Sequence, residues 1–369
     1  MWALKKGTEL AGLRVLIAGG GTGGHIIPAL AVARELVARH GAEVRFLGTE
    51  RGLETRLVPA AGFKLELIHV GPLKNVSLRT RLNTLLDLPR GFFACRALLK
   101  AFKPDMVFGV GGYASGPGMA AALASGVPTM AFEPNAMPGL ANRLVGKRVQ
   151  AAAVNFPAAA KWFRNVEVTG VPVRPEFFSV GPAPQGPPHL LIFGGSQGAG
   201  IFNRTLPKIV AELLESVPGL TVLHQAGARH ADTTLDAYRA SGADPARWQV
   251  SAFLDDMPAR FALAHLVMAR SGASTVAELA AAGKPSLLVP FAAAADDHQT
   301  RNAEEMAGAG AAELLPETEL AQPELLLEAL KRLLGDPARL ERMSAAARTQ
   351  AHPDAAVRIA ERIAGLATR

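Results

Sequence analysis

The sequence predicts an α/β protein built from two doubly wound, Rossmann-like domains that face each other across a cleft. Short β-rich runs alternate with longer Ala- and Leu-rich helical stretches, the pattern of a parallel sheet with crossover helices. That pattern occurs twice, with matching junctions. A length of 369 residues also exceeds the roughly 250–300 at which a single core stops growing.

In the first half, Arg14–Ala18 reads as a strand, Ile27–Arg39 as a helix, and Glu43–Leu47, Met106–Val110 and Pro128–Phe132 as further strands. In the second half, His189–Phe193, Thr221–His224, Leu266–Ala269 and Ser286–Val289 read as strands with helices between them. The first strand of each half runs into glycines, Gly19-Gly20-Gly21-Thr22-Gly23-Gly24 in one and Gly194-Gly195-Ser196-Gln197-Gly198 in the other. Each half then repeats a unit of strand, small-residue turn, Ala-rich helix, Gly-x-Pro and strand. One copy passes through Gly112-Tyr113-Ala114-Ser115 to Gly126-Val127-Pro128, the other through Arg270-Ser271-Gly272-Ala273-Ser274 to Gly283-Lys284-Pro285. The expected divisions are a first domain over 1–172, a Pro/Gly-rich linker over 173–188 and a second domain over 189–350. Residues 351–369 are read as a C-terminal helix able to pack back on the first domain. A cleft between two such domains is a favoured place for a ligand.

Composition bounds the function. The chain is 49% hydrophobic and 19% charged, with no apolar run near the ~20 residues of a membrane span. Its beginning is mixed after Lys5 and Lys6 and does not read as a signal peptide. One cysteine, Cys95, excludes an intramolecular disulfide, argues against a zinc cluster and reads as an apolar filler, so a cytoplasmic location is expected. Residues 1–178 carry 22 Lys and Arg against 11 Asp and Glu, while 179–369 carry 17 against 21. A basic first domain points to an anionic partner, a membrane surface or a phosphorylated ligand. With 6% aromatic residues and no recognisable motif, nucleic acid is not expected.

The glycine run Gly19–Gly24 lies between a strand and a helix, where backbone amides approach a phosphate or a sugar, or where the chain simply turns tightly. The acidic residue of a nicotinamide fingerprint does not close the next strand, and no Gly-Lys-[Ser/Thr] follows to make a P-loop. His25 comes directly after the loop at a helix start, which disfavours its charged form and suits a neutral general base; packing is the alternative. The second glycine loop, with Ser196, fits a diphosphate. Glu278 follows Arg270–Ala277 about one turn into a helix, where a carboxylate can accept from both hydroxyls of a ribose or merely complement the helix dipole. Asp296-Asp297-His298-Gln299-Thr300-Arg301-Asn302 reads as sugar contacts or a cap, since ligand spacing for a metal is lacking. From Lys74 to Lys103, seven basic residues and one acidic residue interleave with Leu78, Leu82, Leu85, Leu86, Phe92, Phe93, Leu98, Leu99 and Phe102. This is either an amphipathic surface for an anionic leaflet or an ordinary helix with its leucines on the core.

Taken in order, the Gly19–His25 run, Gly111-Gly112-Tyr113, Gly194–Gly198, Arg270-Ser271-Gly272-Ala273 and Asp296-Asp297-His298-Gln299 resemble the glycosyltransferases that form lipid II in peptidoglycan synthesis. The resemblance spans nearly the whole chain. It implies a GT-B fold and a metal-independent, inverting enzyme without a cofactor, peripheral on the cytoplasmic membrane face. The implied substrates are UDP-N-acetylglucosamine and undecaprenyl-diphosphate-linked muramoyl-pentapeptide, with an anionic membrane surface met by the first domain. Carried over by position, His25 is the base and Glu278 binds ribose. The Leu254 backbone contacts uracil, and Ser196, Arg174 and Arg270 lie by the diphosphate. The Ala273 backbone, Asn135, His298 and Gln299 read the sugar, with Thr22, Gly23 and Gly24 also on the UDP-sugar; Gly21, Tyr113 and Glu133 meet the acceptor. One departure is Phe132-Glu133-Pro134-Asn135, where the family shows His-Glu-Gln-Asn and Pro134 removes an N–H donor. Rival readings are another UDP-sugar transferase such as one acting on diacylglycerol, a UDP-N-acetylglucosamine 2-epimerase, or a non-catalytic UDP-sugar-binding membrane scaffold.

Overall fold

The computed structural model describes residues 12–50, 52–71 and 78–367. The first sheet contains β1 (Arg14–Gly19), β2 (Glu43–Thr49), β3 (Lys64–Ile68), β4 (Met106–Gly111), β5 (Thr129–Glu133), β6 (Ala151–Val154) and β7 (Val166–Val168). Its order is β3-β2-β1-β4-β5-β6-β7, all parallel. The second contains β8 (His189–Phe193), β9 (Thr221–Gln225), β10 (Trp248–Ser251), β11 (Leu266–Ala269), β12 (Ser286–Leu288) and β13 (Ala312–Leu314). Its order, β10-β9-β8-β11-β12-β13, repeats the plan of the first. The fold is therefore GT-B-like: two parallel α/β domains, each with strand order reversing beside its first strand. That reversal opens a crevice at the carboxyl ends of β1 and β4 in one domain, and of β8 and β11 in the other. The glycine loops occupy these two crevices.

The central strands are apolar runs covered on both faces, and Val15, Ile17, Phe108, Val110, Leu191 and Val267 are inaccessible to solvent. The helix Gly23–His40 buries Ile26, Ala29, Leu30, Ala33 and Leu36, a helical spacing, and ends at Gly41 in the left-handed region (φ 59°). It starts four residues earlier than apolar periodicity indicates, because Gly23 and Gly24 carry no periodic signal. Strands β3, β6, β7, β10 and β13 have no counterpart in the sequence reading. β6 is Ala-Ala-Ala-Val, poor in β-formers, and is held as a strand by burial between β5 and β7; the others lie at or next to sheet edges and are short.

The helix Ala355–Ala367 returns to the first domain. Ile359, Ala360 and Ile363 share a core with Val15, Ile17, Ile26 and Leu30. Arg358 and Arg362 both donate to the Glu167 carboxylate, at 2.9 and 2.7 Å. In the helix Leu78–Phe102, Cys95, Leu99 and Phe102 are buried, Phe92 and Leu98 pack on the same core, and Phe93 is 64% exposed. The C-terminal half of this helix thus follows the ordinary amphipathic pattern. Lys74 and the side chains of Leu78, Leu82, Leu85 and Leu86 lie outside the described residues.

Candidate active site

On the first domain, the turns that follow the paired strands β1 and β4 meet at backbone contact. Gly20 N–H donates to the Gly111 carbonyl at 3.2 Å, and Gly112 (φ 83°) lies so close to the Gly20 backbone that a Cβ has no room. The chain then enters the helix Gly23–His40 through Thr22, whose carbonyl accepts from the N–H groups of His25 and Ile26 at 3.2 Å. His25 is the third residue of that helix. Its imidazole lies over Gly111, where an added Cβ would approach the ring to 3.1 Å. Nδ1 is shut off from solvent and has no hydrogen-bond partner. Burial pushes the pKa down to about 4; the Glu54 carboxylate opposes this and His298, from the other domain, adds to it. The ring is neutral at pH 7, as a general base requires.

On the second domain, the β8 turn packs on the residues after β9: a Cβ on Gly198 would collide with the Ala226 carbonyl, and Gln225 Nε2 donates to the Gly195 carbonyl at 3.2 Å. Ser196 is exposed at the tip. After β11 the helix Ala273–Ala282 begins at buried Ala273 with no capping side chain. Leu254 lies in one buried cluster with Phe193, Ala269 and Val276. Arg270 is 8% exposed: its guanidinium donates to the carbonyls of Val289 and Pro290 at 3.1 and 3.0 Å and to Glu317 at 2.6 Å. Glu317 also accepts from Ala292 N–H at 2.7 Å. Arg270 thus pins the loop after β12, and its charge is met by Glu317. His298 and Gln299 open the helix His298–Gly308; Gln299 Oε1 accepts from Phe291 N–H and its carbonyl from Ser271 Oγ.

Burial raises the Glu278 carboxyl to about 7, with the Arg174 guanidinium acting against it. A carboxyl raised in the folded state costs stability wherever the unfolded chain has ionised. That cost is complete above about pH 7 and absent below the ordinary value of 4.5. Glu278→Gln is therefore expected to raise the melting temperature at pH 8 and to lose the gain towards pH 4.5. A gain independent of pH would contradict the burial assignment.

The two domains meet at these loops. A Cβ placed on Gly24 would sit 3.8 Å from Ser274 Oγ. Asn302, inaccessible to solvent, joins the halves: its Oδ1 accepts from Ala136 N–H at 2.9 Å, and its Nδ2 donates to Asn135 Oδ1 and to the Ser271 carbonyl, both at 3.1 Å. Arg143 pairs with Asp296 at 2.8 Å beside it. Glu133 is 2% exposed, and its carboxylate accepts from Asn135 N–H and Nδ2, Gly139 N–H and Asn142 Nδ2. The Glu133 carboxylate therefore shapes the loop from within. Pro134 removes none of the donors this loop uses, which sit at 135, 136 and 139. Tyr113, 48% exposed, stands on the rim after Gly112.

The sequence gives Asn302 only a sugar contact or a cap, as part of its polar run, where the structure makes it a joint between the domains, and it assigns nothing to Glu54 or Glu317. Asn302 ends the Asp296–Asn302 polar run, and Glu54 follows two spaced glycines, Gly48 and Gly52; those were the available signals. Replacing Asn302 with Ala would strand a buried N–H and a carbonyl, with an expected loss of about 1–3 kcal/mol in urea unfolding. An unchanged midpoint would deny it that joining role. Among the described residues no group of three or more His, Cys, Asp or Glu could hold a metal ion. A cavity of about 510 Å³, lined by residues including Asn155, Ala280, Met306 and His352, shares no residue with the loops and no part of this constellation.

Two domains of one plan thus meet at their switch-point loops, with a neutral histidine on one side and a buried carboxyl on the other. Comparison with known proteins gives the class. The glycosyltransferase family 28 N-terminal domain matches residues 15–154 and the family 28 C-terminal domain matches 189–359. The UDP-N-acetylglucosamine--N-acetylmuramyl-(pentapeptide) pyrophosphoryl-undecaprenol N-acetylglucosamine transferase of Anaeromyxobacter sp. (strain K) is 45% identical over 95% of this chain and 92% of its own length. The enzyme of the same name from Shewanella amazonensis is 41% identical over 95% and 97%. The crystal structure of Acinetobacter baumannii MurG superposes with a TM-score of 0.82 at 32% identity, covering 96% of this chain and 99% of that one. A UDP-N-acetylglucosamine 2-epimerase, at 16% identity and a TM-score of 0.64, shares the fold alone. The chain belongs to glycosyltransferase family 28 and, within it, to the family of these transferases, the one its motifs resemble.

Proposed function

We infer that this chain transfers N-acetylglucosamine from UDP-N-acetylglucosamine to lipid-linked N-acetylmuramyl-pentapeptide, converting lipid I to lipid II in peptidoglycan synthesis. The observation that carries the reading is the approach of the His25 turn to the second domain, with Gly24 beside Ser274 and His298 acting on His25, in a chain 45% identical to transferases of that name. In the proposed step the 4-hydroxyl of the muramoyl sugar attacks the anomeric carbon of N-acetylglucosamine. His25 takes the hydroxyl proton, the bond to the diphosphate breaks, and the configuration inverts. The helices Gly23–His40, Gly200–Ser216 and Ala273–Ala282 carry no acidic residue in their first turns. Their positive ends and the loop amides are suited to the diphosphate charge that grows as UDP leaves. Arg174 and Ser196 lie on this side, and Arg270 acts through the loop it holds. Glu278 accepts from the ribose, the Leu254 backbone meets uracil, and Ala273, Asn135, His298 and Gln299 read the sugar, together with Thr22, Gly23 and Gly24. Gly21, Tyr113 and the loop shaped by Glu133 face the acceptor.

No described helix is long and apolar enough to cross a membrane. For the lipid acceptor we place the first domain against the anionic cytoplasmic leaflet. Phe93 and Leu144 are each 64% exposed, and Arg90, Lys147 and Arg148 are exposed on the same domain. Incubating UDP-N-acetylglucosamine with a lipid I analogue, with diacylglycerol or with no acceptor separates the readings. Product with the lipid I analogue alone is expected. Turnover with diacylglycerol, or epimerised UDP-sugar without acceptor, would overturn it.

A further inference from the structure

We propose that Glu54 is a positioning residue for the transfer: its buried carboxylate fixes the turn that carries Gly21 to His25. The proposal rests on reading His25 as the base. Glu54 opens the helix Glu54–Ala60, immediately after the turn that follows β2, and is inaccessible to solvent. Its Oε2 accepts from Gly21 N–H at 2.7 Å, while Oε1 accepts from Thr49 N–H and Thr49 Oγ–H, each at 3.0 Å. Leu53 N–H returns a bond to the Gly21 carbonyl at 3.4 Å. The glycine turn and the segment after β2 are therefore stitched together in both directions.

The space around the carboxylate is as specific as its bonds. A Cβ at Gly20, Gly48 or Gly52 would overlap the Glu54 side chain. Three glycines thus leave a cradle that one carboxylate fills. A buried carboxylate is costly unless its oxygens are hydrogen-bonded, and an uncharged side chain would tie a turn more cheaply. What a carboxylate adds is charge beside His25. Its field favours the imidazolium that forms as the base takes a proton, against burial and against His298. Glu54 orients the turn and strengthens the base through one group.

The test uses the full chain with UDP-N-acetylglucosamine and a soluble lipid I analogue. In Glu54→Gln the turn shifts and the charge is lost. We expect kcat to fall about 10- to 100-fold and KM to rise for the acceptor and, because Thr22 to Gly24 belong to the same turn, for UDP-N-acetylglucosamine, while calorimetric affinity for UDP itself stays at the wild-type value. Glu54→Asp, which keeps the charge, is expected to regain part of kcat. Unaltered kcat and acceptor KM would overturn the proposal. So would a matching loss of calorimetric UDP affinity with a lowered melting temperature, the mark of a structural role alone. Should Glu54→Gln fail to fold, Glu54→Asp decides: reduced kcat with intact UDP binding supports the proposal, and wild-type kcat overturns it. The base reading fails separately, if His25→Ala retains turnover.

Discussion

Replacing His25 with alanine is expected to lower turnover about 100- to 10,000-fold, the range for loss of a general base, while UDP affinity stays unchanged. The expectation follows from where the imidazole sits. Gly111, with no side chain, lets the ring lie against the β4 turn, and a helix N-terminus together with burial keeps it neutral. Burial lowers its pKa to about 4, so protonation of this ring does not limit the reaction until pH falls towards that value. UDP itself does not require the imidazole, because the uracil and ribose contacts are assigned to Leu254 and Glu278 on the second domain. Steady-state kinetics paired with calorimetric UDP titration reads both halves of the expectation. Turnover kept at wild-type level removes His25 as base, and UDP affinity lost in parallel makes it a binding residue.

Replacing Glu278 with alanine is expected to weaken UDP binding by about 1.5–3 kcal/mol, the scale of hydrogen bonds to a charged group. The carboxyl lies in the helix Ala273–Ala282 beneath the Arg270–Gly272 turn, raised towards 7 by burial. A carboxyl held at that cost to the folded protein is spent on function when a ligand supplies its hydrogen bonds. Accepting from two ribose hydroxyls needs the ionised form, so the effect is larger at pH 8 than at pH 6. Equal UDP affinity for the variant and the wild type at pH 8 would contradict the ribose assignment.

Much of this layout is legible in the sequence because each glycine loop follows a strong apolar strand. β1, β8 and β11 read within one residue of their observed ends, which places Gly19–Gly24, Gly194–Gly198 and Arg270–Ser274 at the carboxyl edge of a sheet. What stayed hidden depends on partners distant in the chain. β6 is a strand only because β5 and β7 bracket it. Arg270 looks like a diphosphate ligand by position, yet its guanidinium is held by Glu317, 47 residues on. Asn302 earns its place through Ala136 and Asn135, more than 160 residues away. Glu54 reveals itself through space left at Gly20, Gly48 and Gly52, and a vacant volume leaves no periodic trace.

Radiolabelled UDP-N-acetylglucosamine incubated with the purified chain, a short-chain lipid I analogue and EDTA reads donor, acceptor and metal independence at once. Label carried into the lipid product, at a rate EDTA does not alter, is the predicted result. UDP bound but no label transferred, with or without magnesium, would contradict it and leave only the donor half of the site standing.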